Sequence, residues 1–448
     1  MKKVLLSLVI VLASSSLWAQ RYVLMGWNDL GMHCSNQDFS TFVVLPPFNN
    51  VHAQVVRVGD ALTPPAVVTA NLRITYQIPG NTYSVGKTNF WDYAFQIFGA
   101  NLLPNIGLTG NGLTGEMTKI DNNFVVTGIP ITPYTDADLV HEDPFQLGFL
   151  ILYDSTTNLT LTTAPPVIPV SNEINCISTG CHASPQGLLN AHDAEGGFNP
   201  ANTPILCATC HSSNALNAPG KPGLPSLSEA IHKKHGGLTN DCYKCHPGPN
   251  TQCLRDVMKN QHGFDCHTCH GSVTNVGETI SSGRIPWLQE PQCGATSCHG
   301  ARYAEEPGKL FRQSRGHGGL FCSACHGEPH AIVPSGNARD NVANIYIQGY
   351  AGTLNRCDIC HGVVPTGPGP HGLPSPNCCV GKRGNVNVTG IVDLGDLSAL
   401  VSYLTGGAYV LPCPEAANVN GAGIVDLSDL SALVSYLTGG GYVLPNCP

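Results

Sequence analysis

What this chain lacks narrows its reading first. Only 12% of its 448 residues are Asp, Glu, Lys or Arg, and the formal net charge is -8. Nothing in that balance offers the basic surface that nucleic acid demands. After the first twenty residues no stretch approaches the twenty consecutive apolar residues of a membrane span. Helical periodicity is scarce as well: few stretches repeat at 3.6 residues, while 50 glycines and 34 prolines point to strands and irregular loops. The length allows two to four domains.

The start has the pattern of a secretory signal. Lys2-Lys3 precede an apolar run from Val4 to Ala13, and small residues lead to Ala19-Gln20. Residues 1–19 are therefore expected to be removed. No cysteine lies near the cleavage region, so no lipid anchor is expected. The mature protein should be soluble and exported: secreted, extracellular or at the cell surface, with the periplasm as the alternative. Export places its thiols in an oxidising compartment, where disulfides can form.

What the chain has in excess is twenty cysteines and eighteen histidines, and cysteine usage divides it into zones. Residues 20–170 hold one cysteine, Cys34. There Leu72-Arg73-Ile74-Thr75-Tyr76-Gln77-Ile78 places Leu72, Ile74, Tyr76 and Ile78 on one face. Shorter strand-like runs occur at Ala53–Val58, Phe149–Tyr153 and Asn158–Thr162, with Pro and Gly between them. An antiparallel β-sandwich is the expected fold of this zone. Residues 171–375 hold fifteen cysteines and almost no sustained apolar pattern, so a loop-rich domain is expected. Residues 376–448 carry a tandem repeat: Asn385–Pro412 matches Asn418–Pro445 at an offset of 33, with four of 28 positions different. A small α-helical domain is expected there.

Five stretches of the middle zone read Cys-x-x-Cys-His: Cys207-Cys210-His211, Cys242-Cys245-His246, Cys266-Cys269-His270, Cys322-Cys325-His326 and Cys357-Cys360-His361. Two thiols at this spacing add across two vinyl groups on one edge of a haem, and the next histidine reaches the iron. A random chain of this composition would contain on the order of 0.04 such motifs. Zinc also uses Cys-x-x-Cys pairs, but it does not require a histidine directly after the second cysteine every time. Two wider motifs, Cys176-Cys181-His182 and Cys293-Cys298-His299, insert four residues, mostly small, between the cysteines. A disulfide loop is the plain alternative for either one. The recurrence of the same variant inside this zone favours haem, seven in all. The first wide motif follows the last strand-like region, so its site is expected against the β-domain.

Histidine arithmetic agrees. If each iron takes two imidazoles, seven distal histidines are needed beside the proximal His182, His211, His246, His270, His299, His326 and His361. Setting aside His33, His52 and His141 in the β zone, and His267 inside its own motif, leaves seven: His192, His232, His235, His262, His317, His330 and His371. His33 or Met258 is the alternative ligand where one of these is not used. His235, His262 and His317 are each followed by glycine, which lets the backbone pass close to a flat macrocycle. Roughly 27 residues per haem cannot build a separate polypeptide core around each, so the haems themselves must be the core.

The zone resembles a multihaem c-type cytochrome, a family in whose low-potential tetrahaem members Cys-x4-Cys-His attachment also occurs. Gly26–Cys34 (GWNDLGMHC), Pro169–Cys176 (PVSNEINC) and Cys245–Met258 (CHPGPNTQCLRDVM) are similar to exported multihaem cytochromes of metal-respiring bacteria with a β-rich front domain. That resemblance spans residues 21–375 and implies extracellular electron transfer.

Each C-terminal repeat combines an Asn-x-Asn loop, glycine at its sixth position and aspartates at its ninth and twelfth with an amphipathic helix, Leu394–Leu404 or Leu427–Leu437. The pair resembles a type I dockerin, which binds cohesin domains. The resemblance implies calcium at Asn385, Asn387, Thr389, Asp393 and Asp396, and at Asn418, Asn420, Asp426 and Asp429. Only two carboxylates remain per loop, so binding is expected to be weak. Cys378, Cys379, Cys413 and Cys447 flank the repeats and are the disulfide candidates, their pairing open. Cys34 and Cys253 are left over; they could bond to each other, and Cys34 could instead serve as a haem ligand or a free thiol.

The leading expectation is an exported seven-haem electron carrier, working between redox partner proteins and an extracellular acceptor and tethered by a cohesin-like partner of its tail. One alternative is a multihaem reductase with one open iron, although no Cys-x-x-Cys-Lys motif is present. Another is a subunit that self-assembles into a cytochrome filament.

Overall fold

The computed structural model describes residues 21–447, apart from 178, 249, 363–364, 366–368, 374–378, 380–381, 388, 390, 408, 410 and 412. The expected signal segment lies outside the described residues.

Alternation organises the front segment. On β6 (Leu72–Gln77), Leu72, Ile74 and Tyr76 are buried while the residues between them are more exposed. β6 pairs antiparallel with β11 (Phe149–Asp154), setting Ile74 opposite Leu152 and Tyr76 opposite Leu150. β12 (Thr160–Ala164) and β7 (Thr114–Glu116) flank that pair. A second antiparallel sheet runs β1 (Tyr22–Trp27), β4 (Asn49–Arg57), β9 (Asn123–Ile129), β8 (Thr118–Ile120), with β5 (Ala66–Val67) also on β4. Leu24, Val51, Val55, Phe124 and Val126 from this sheet share one buried cluster with Ile74, Tyr76, Leu150 and Leu152. Burying each such side chain contributes about 1.5–3 kcal/mol.

Not all the pairing is antiparallel. β13 (Val167–Ser171) pairs antiparallel with β10 (Phe145–Leu147) but parallel with β2 (His33–Cys34). β3 (Phe42–Val43) runs parallel to β14 (Ile205–Leu206), which lies beyond the expected boundary at residue 170. A helix, Phe90–Phe98, packs Phe90 edge-on against Phe39 at 5.2 Å. The whole is a mixed α/β arrangement of several sheets and helices.

From residue 172 to 373 the chain is built of turns and short helices, among them Pro185–Asp193, Leu227–His235, Val257–His262, Val273–Ser281 and Val342–Gln348. Only seven hydrophobic side chains are buried among the described residues of this stretch. Among the described residues it forms no hydrophobic cluster of its own. In the tail, helices Leu394–Leu404 and Leu427–Leu437 begin at Asp393 and Asp426, whose carboxylates accept the Gly395 and Ser428 N–H groups. Val386, Leu400, Val419 and Leu433 pack between them, and a Cys379–Cys447 disulfide closes the unit.

Candidate functional site

One turn of chain shapes each motif. Cys266–His270 and Cys322–His326 are single α-helical turns, and Cys207–Thr209, Cys242–Lys244 and Cys357–Ile359 are 3-10 turns. In the latter three, the motif histidine N–H returns to the first cysteine's carbonyl: His211 at 3.0 Å, His246 at 2.9 Å and His361 at 2.8 Å. The wide motifs close with the same bond. His182 N–H reaches Cys176 O at 3.1 Å and His299 N–H reaches Cys293 O at 3.2 Å. The longer spacing therefore keeps the closing bond between first cysteine and histidine.

The fold then brings motif histidines to spare ones. Ring centres lie 6.4 Å apart for His182 and His235, and 6.0 Å apart for His211 and His192, for His246 and His232, for His326 and His371, and for His361 and His317. His270 and His330 lie 6.1 Å apart. Six motif histidines are each matched with one different spare histidine. Two metal–nitrogen bonds of about 2 Å, extended to the ring centres, would set two axial imidazoles roughly 6 Å apart. His262 and His299 remain; the rings seen beside them are Phe264 and Tyr303, each at 6.1 Å. Both histidines are exposed.

Local structure aims these rings. Helix Leu227–His235 carries His232 and His235 one turn apart, and each Nδ1 bonds the carbonyl four residues back, Ser228 at 2.7 Å and Ile231 at 2.8 Å. That leaves Nε2 of each ring outside these bonds, with the partner ring centres 6.0 and 6.4 Å away. His211 Nδ1 is fixed likewise by Pro225 O at 2.8 Å. His330 and His371, each preceded by proline, take left-handed backbone at φ 67 and 58, a conformation that costs about 1–2 kcal/mol for a residue with a Cβ. Burial drives His246, His270 and His326 down to about 4, helped by neighbouring imidazoles. They are neutral at pH 7, the form that binds metal.

Neighbouring thiols reveal how the motifs follow one another. Burial, then nearby Cys176, pushes the Cys207 thiol up to about 12. Asn175 donates from its backbone to Cys245 O and from its side chain to Tyr243 O, tying the first motif to the third. A hydrogen bond with Cys266 raises Cys242, and Cys269 is raised by burial and by Cys298. Cys293 is raised by burial and by Glu305 and Cys322, and Cys325 by burial and Cys360. The succession in space begins at Cys207, passes Cys176, Cys242, Cys266, Cys293 and Cys322, and ends at Cys357.

The front sheets hold the second half of this succession, through residues the motif analysis did not single out. Glu328, buried and pushed up to about 8 by that burial and by Asp340, accepts the Asn28 N–H at 2.8 Å. Gly31, at φ 73, passes so close to Pro329 that a Cβ would lie 2.0 Å from its carbonyl oxygen. Arg255 pairs with buried Asp340 and donates to Gly31 O at 2.7 Å and Cys253 O at 3.0 Å. Gln54 accepts from Phe321 N–H at 2.9 Å and donates to Gly319 O at 3.2 Å, steadying the His317 turn. Gly59 N–H bonds Cys360 O at 2.8 Å. Two of the stretches that carry the family resemblance supply part of this set: Gly26–Cys34 contains Asn28 and Gly31, and Cys245–Met258 contains Cys253 and Arg255.

The other histidines and cysteines are placed elsewhere. His33 bonds Asp29 at 2.9 Å, His52 stacks on Trp27, His141 bonds Asp138, and His267 bonds the carbonyl of Gly271, the residue after its own motif. Neither His33 nor Met258 enters a histidine pair. Cys34 and Cys253 form no disulfide. Cys413 is disulfide-bonded, while Cys378 lies outside the described residues. In the repeat loops Asp396 and Asp429 are fully buried. Their oxygens accept from Asn387 and Asp393 N–H at 2.9 and 2.8 Å, and from Asn420 and Asp426 N–H at 3.0 and 2.9 Å. Among the described residues no three or more His, Cys, Asp or Glu side chains converge as a metal site would require; an axial imidazole pair needs only two.

Comparison with known proteins returns no relative: no family model matches the chain, and neither curated proteins nor solved structures give a match.

Proposed function

We propose that this chain is a seven-haem c-type cytochrome acting as an exported electron carrier. The observation that carries the reading is the six imidazole pairs, each joining a motif histidine to a different spare one at the separation two axial ligands require. The near absence of buried apolar side chains in the same stretch supports it, since a large flat prosthetic group would fill that space. By elimination His262 would serve the motif of His299. A haem held through two thioethers and two imidazoles exchanges single electrons without an open coordination position. The chain's part is to present the thiols on one turn, keep the imidazoles neutral and lock their outer nitrogens. The unbroken succession of sites from Cys207 to Cys357 suits a carrier between two partners.

A pyridine haemochrome assay on the purified protein tests the count. Seven haems per chain are expected; five would show that the wide motifs hold none. One observation favours a second reading, a reductase: His299 has Tyr303, not an imidazole, beside it. Carbon monoxide added to the reduced protein separates the two. No spectral change is expected of a carrier, whereas a CO-binding, high-spin haem would favour the enzyme.

A further inference from the structure

Among the paired histidines, the outer nitrogen of His330 has an unusual partner. His211, His232 and His235 bond carbonyl oxygens at 2.7–2.8 Å, and His326 lies 3.4 Å from the Thr353 hydroxyl. His330 Nδ1 instead faces the sulfur of Cys253 at 3.7 Å. Both partners are fixed. Arg255 donates from its side chain to Cys253 O at 3.0 Å and from its backbone to His330 O at 2.9 Å, and Cys253 N–H bonds Pro247 O at 3.1 Å. The sulfur is therefore held against the ring and has not drifted there.

We propose that Cys253 is a positioning residue for His330. Its sulfur accepts the Nδ1–H hydrogen bond, fixes the ring opposite His270, and gives the Cys266–His270 site a reduction potential unlike those of its neighbours. The inference rests on the haem reading above. Sulfur is a weaker acceptor than a carbonyl oxygen, and an outer acceptor raises the electron donation of a metal-bound imidazole. This site should therefore be easier to reduce than those whose histidines bond carbonyls. Losing the acceptor altogether should make it easier still.

The test uses the haem-loaded full chain with Cys253→Ala and Cys253→Ser, read by spectroelectrochemical titration and by electron paramagnetic resonance. In Cys253→Ala one of the seven couples should move to higher potential by about tenfold in its equilibrium, 59 mV for one electron. One low-spin signal should change with it. In Cys253→Ser, which restores an oxygen acceptor, the same couple should return to or fall below its original value. If the alanine variant loses haem, the serine variant alone decides, by whether that couple moves down. Seven unchanged couples at full haem content would overturn the role of Cys253. A wild-type chain without covalent haem would instead overturn the reading on which it rests.

Discussion

Replacing Arg255 with methionine should cost far more stability than its single position suggests. The Arg255 and Asp340 side chains are 3% and 0% exposed and joined at 2.7 and 2.8 Å. With the guanidinium gone, Asp340 keeps a hydrogen bond from Ser335 Oγ but no counter-charge, and the Gly31 and Cys253 carbonyls lose their donor. Stranding one charge of a buried pair costs about 3–5 kcal/mol. Arg339 and Asp143 provide the internal control: they are joined at 2.6 Å but are 46% and 31% exposed. Arg339→Met should therefore cost no more than about 1 kcal/mol. Urea unfolding followed by tryptophan emission would compare both variants with wild type. The double variant Arg255→Met/Asp340→Leu should recover most of the loss, because the stranded charge is gone. If Arg255→Met falls within about 1 kcal/mol of wild type, the claim that this pair clamps the front sheets to the array is wrong.

Gly31→Ala should lower the thermal midpoint and separate His330 from His270, because the new methyl meets Pro329 O on a left-handed backbone; CO binding to the reduced variant would report the freed position. Asp396→Ala and Asp429→Ala should each destabilise the tail by about 1–3 kcal/mol for every amide left unsatisfied. The two losses should match, since the two loops repeat each other's bonds within 0.1 Å. With both oxygens of each aspartate already engaged, chelation with EDTA should shift the tail's melting little; a large shift would mean that calcium reorganises these loops. Cys447→Ser should cost about 4 kcal/mol, from the 68-residue separation that its disulfide spans, measured as a lower melting point for the tail.

Residue identities name fourteen candidate histidines; the fold brings twelve of them together in six pairs and leaves His262 and His299 apart. Counting motifs and spare imidazoles needs only residue identities, so His182 through His371 could be named in advance. Pairing depends on the path of the chain. His211 takes a partner before it in sequence, His192, while His182 takes one after it, His235. Alternation on Leu72–Ile78 was legible because a half-buried strand imposes a period of two. The parallel contacts of His33–Cys34 and Phe42–Val43 were not, because two residues carry no period. The bracing roles of Arg255, Glu328 and Gln54 were not legible either, although Arg255 lies in Cys245–Met258 and Gln54 in Ala53–Val58. Their partners Asp340, Asn28 and Phe321 lie far away in sequence, and a buried polar pair leaves no local pattern.

An axial pair holds metal only if both rings stay within a few tenths of an ångström of their places, and loops with seven buried hydrophobics cannot supply that rigidity alone. The array draws it from two sources. In the first half, helices Leu227–His235 and Val273–Ser281 pack closely; a Cβ on Gly277 would lie 3.1 Å from Lys233 N, so glycine sets how near His232 and His235 can be held. In the second half the front sheets do this work, through Gln54 at the His317 turn, Asn28 and Gly31 at the His330 turn, and Gly59 at Cys360. The β-rich front is therefore better understood as a mould for three turns of the motif region than as an independent module. Damage to it should show first in the sites of His270 and His361, and at His211, whose motif follows the β3–β14 pairing, while those of His182 and His246, whose partners lie on helix Leu227–His235, keep their geometry.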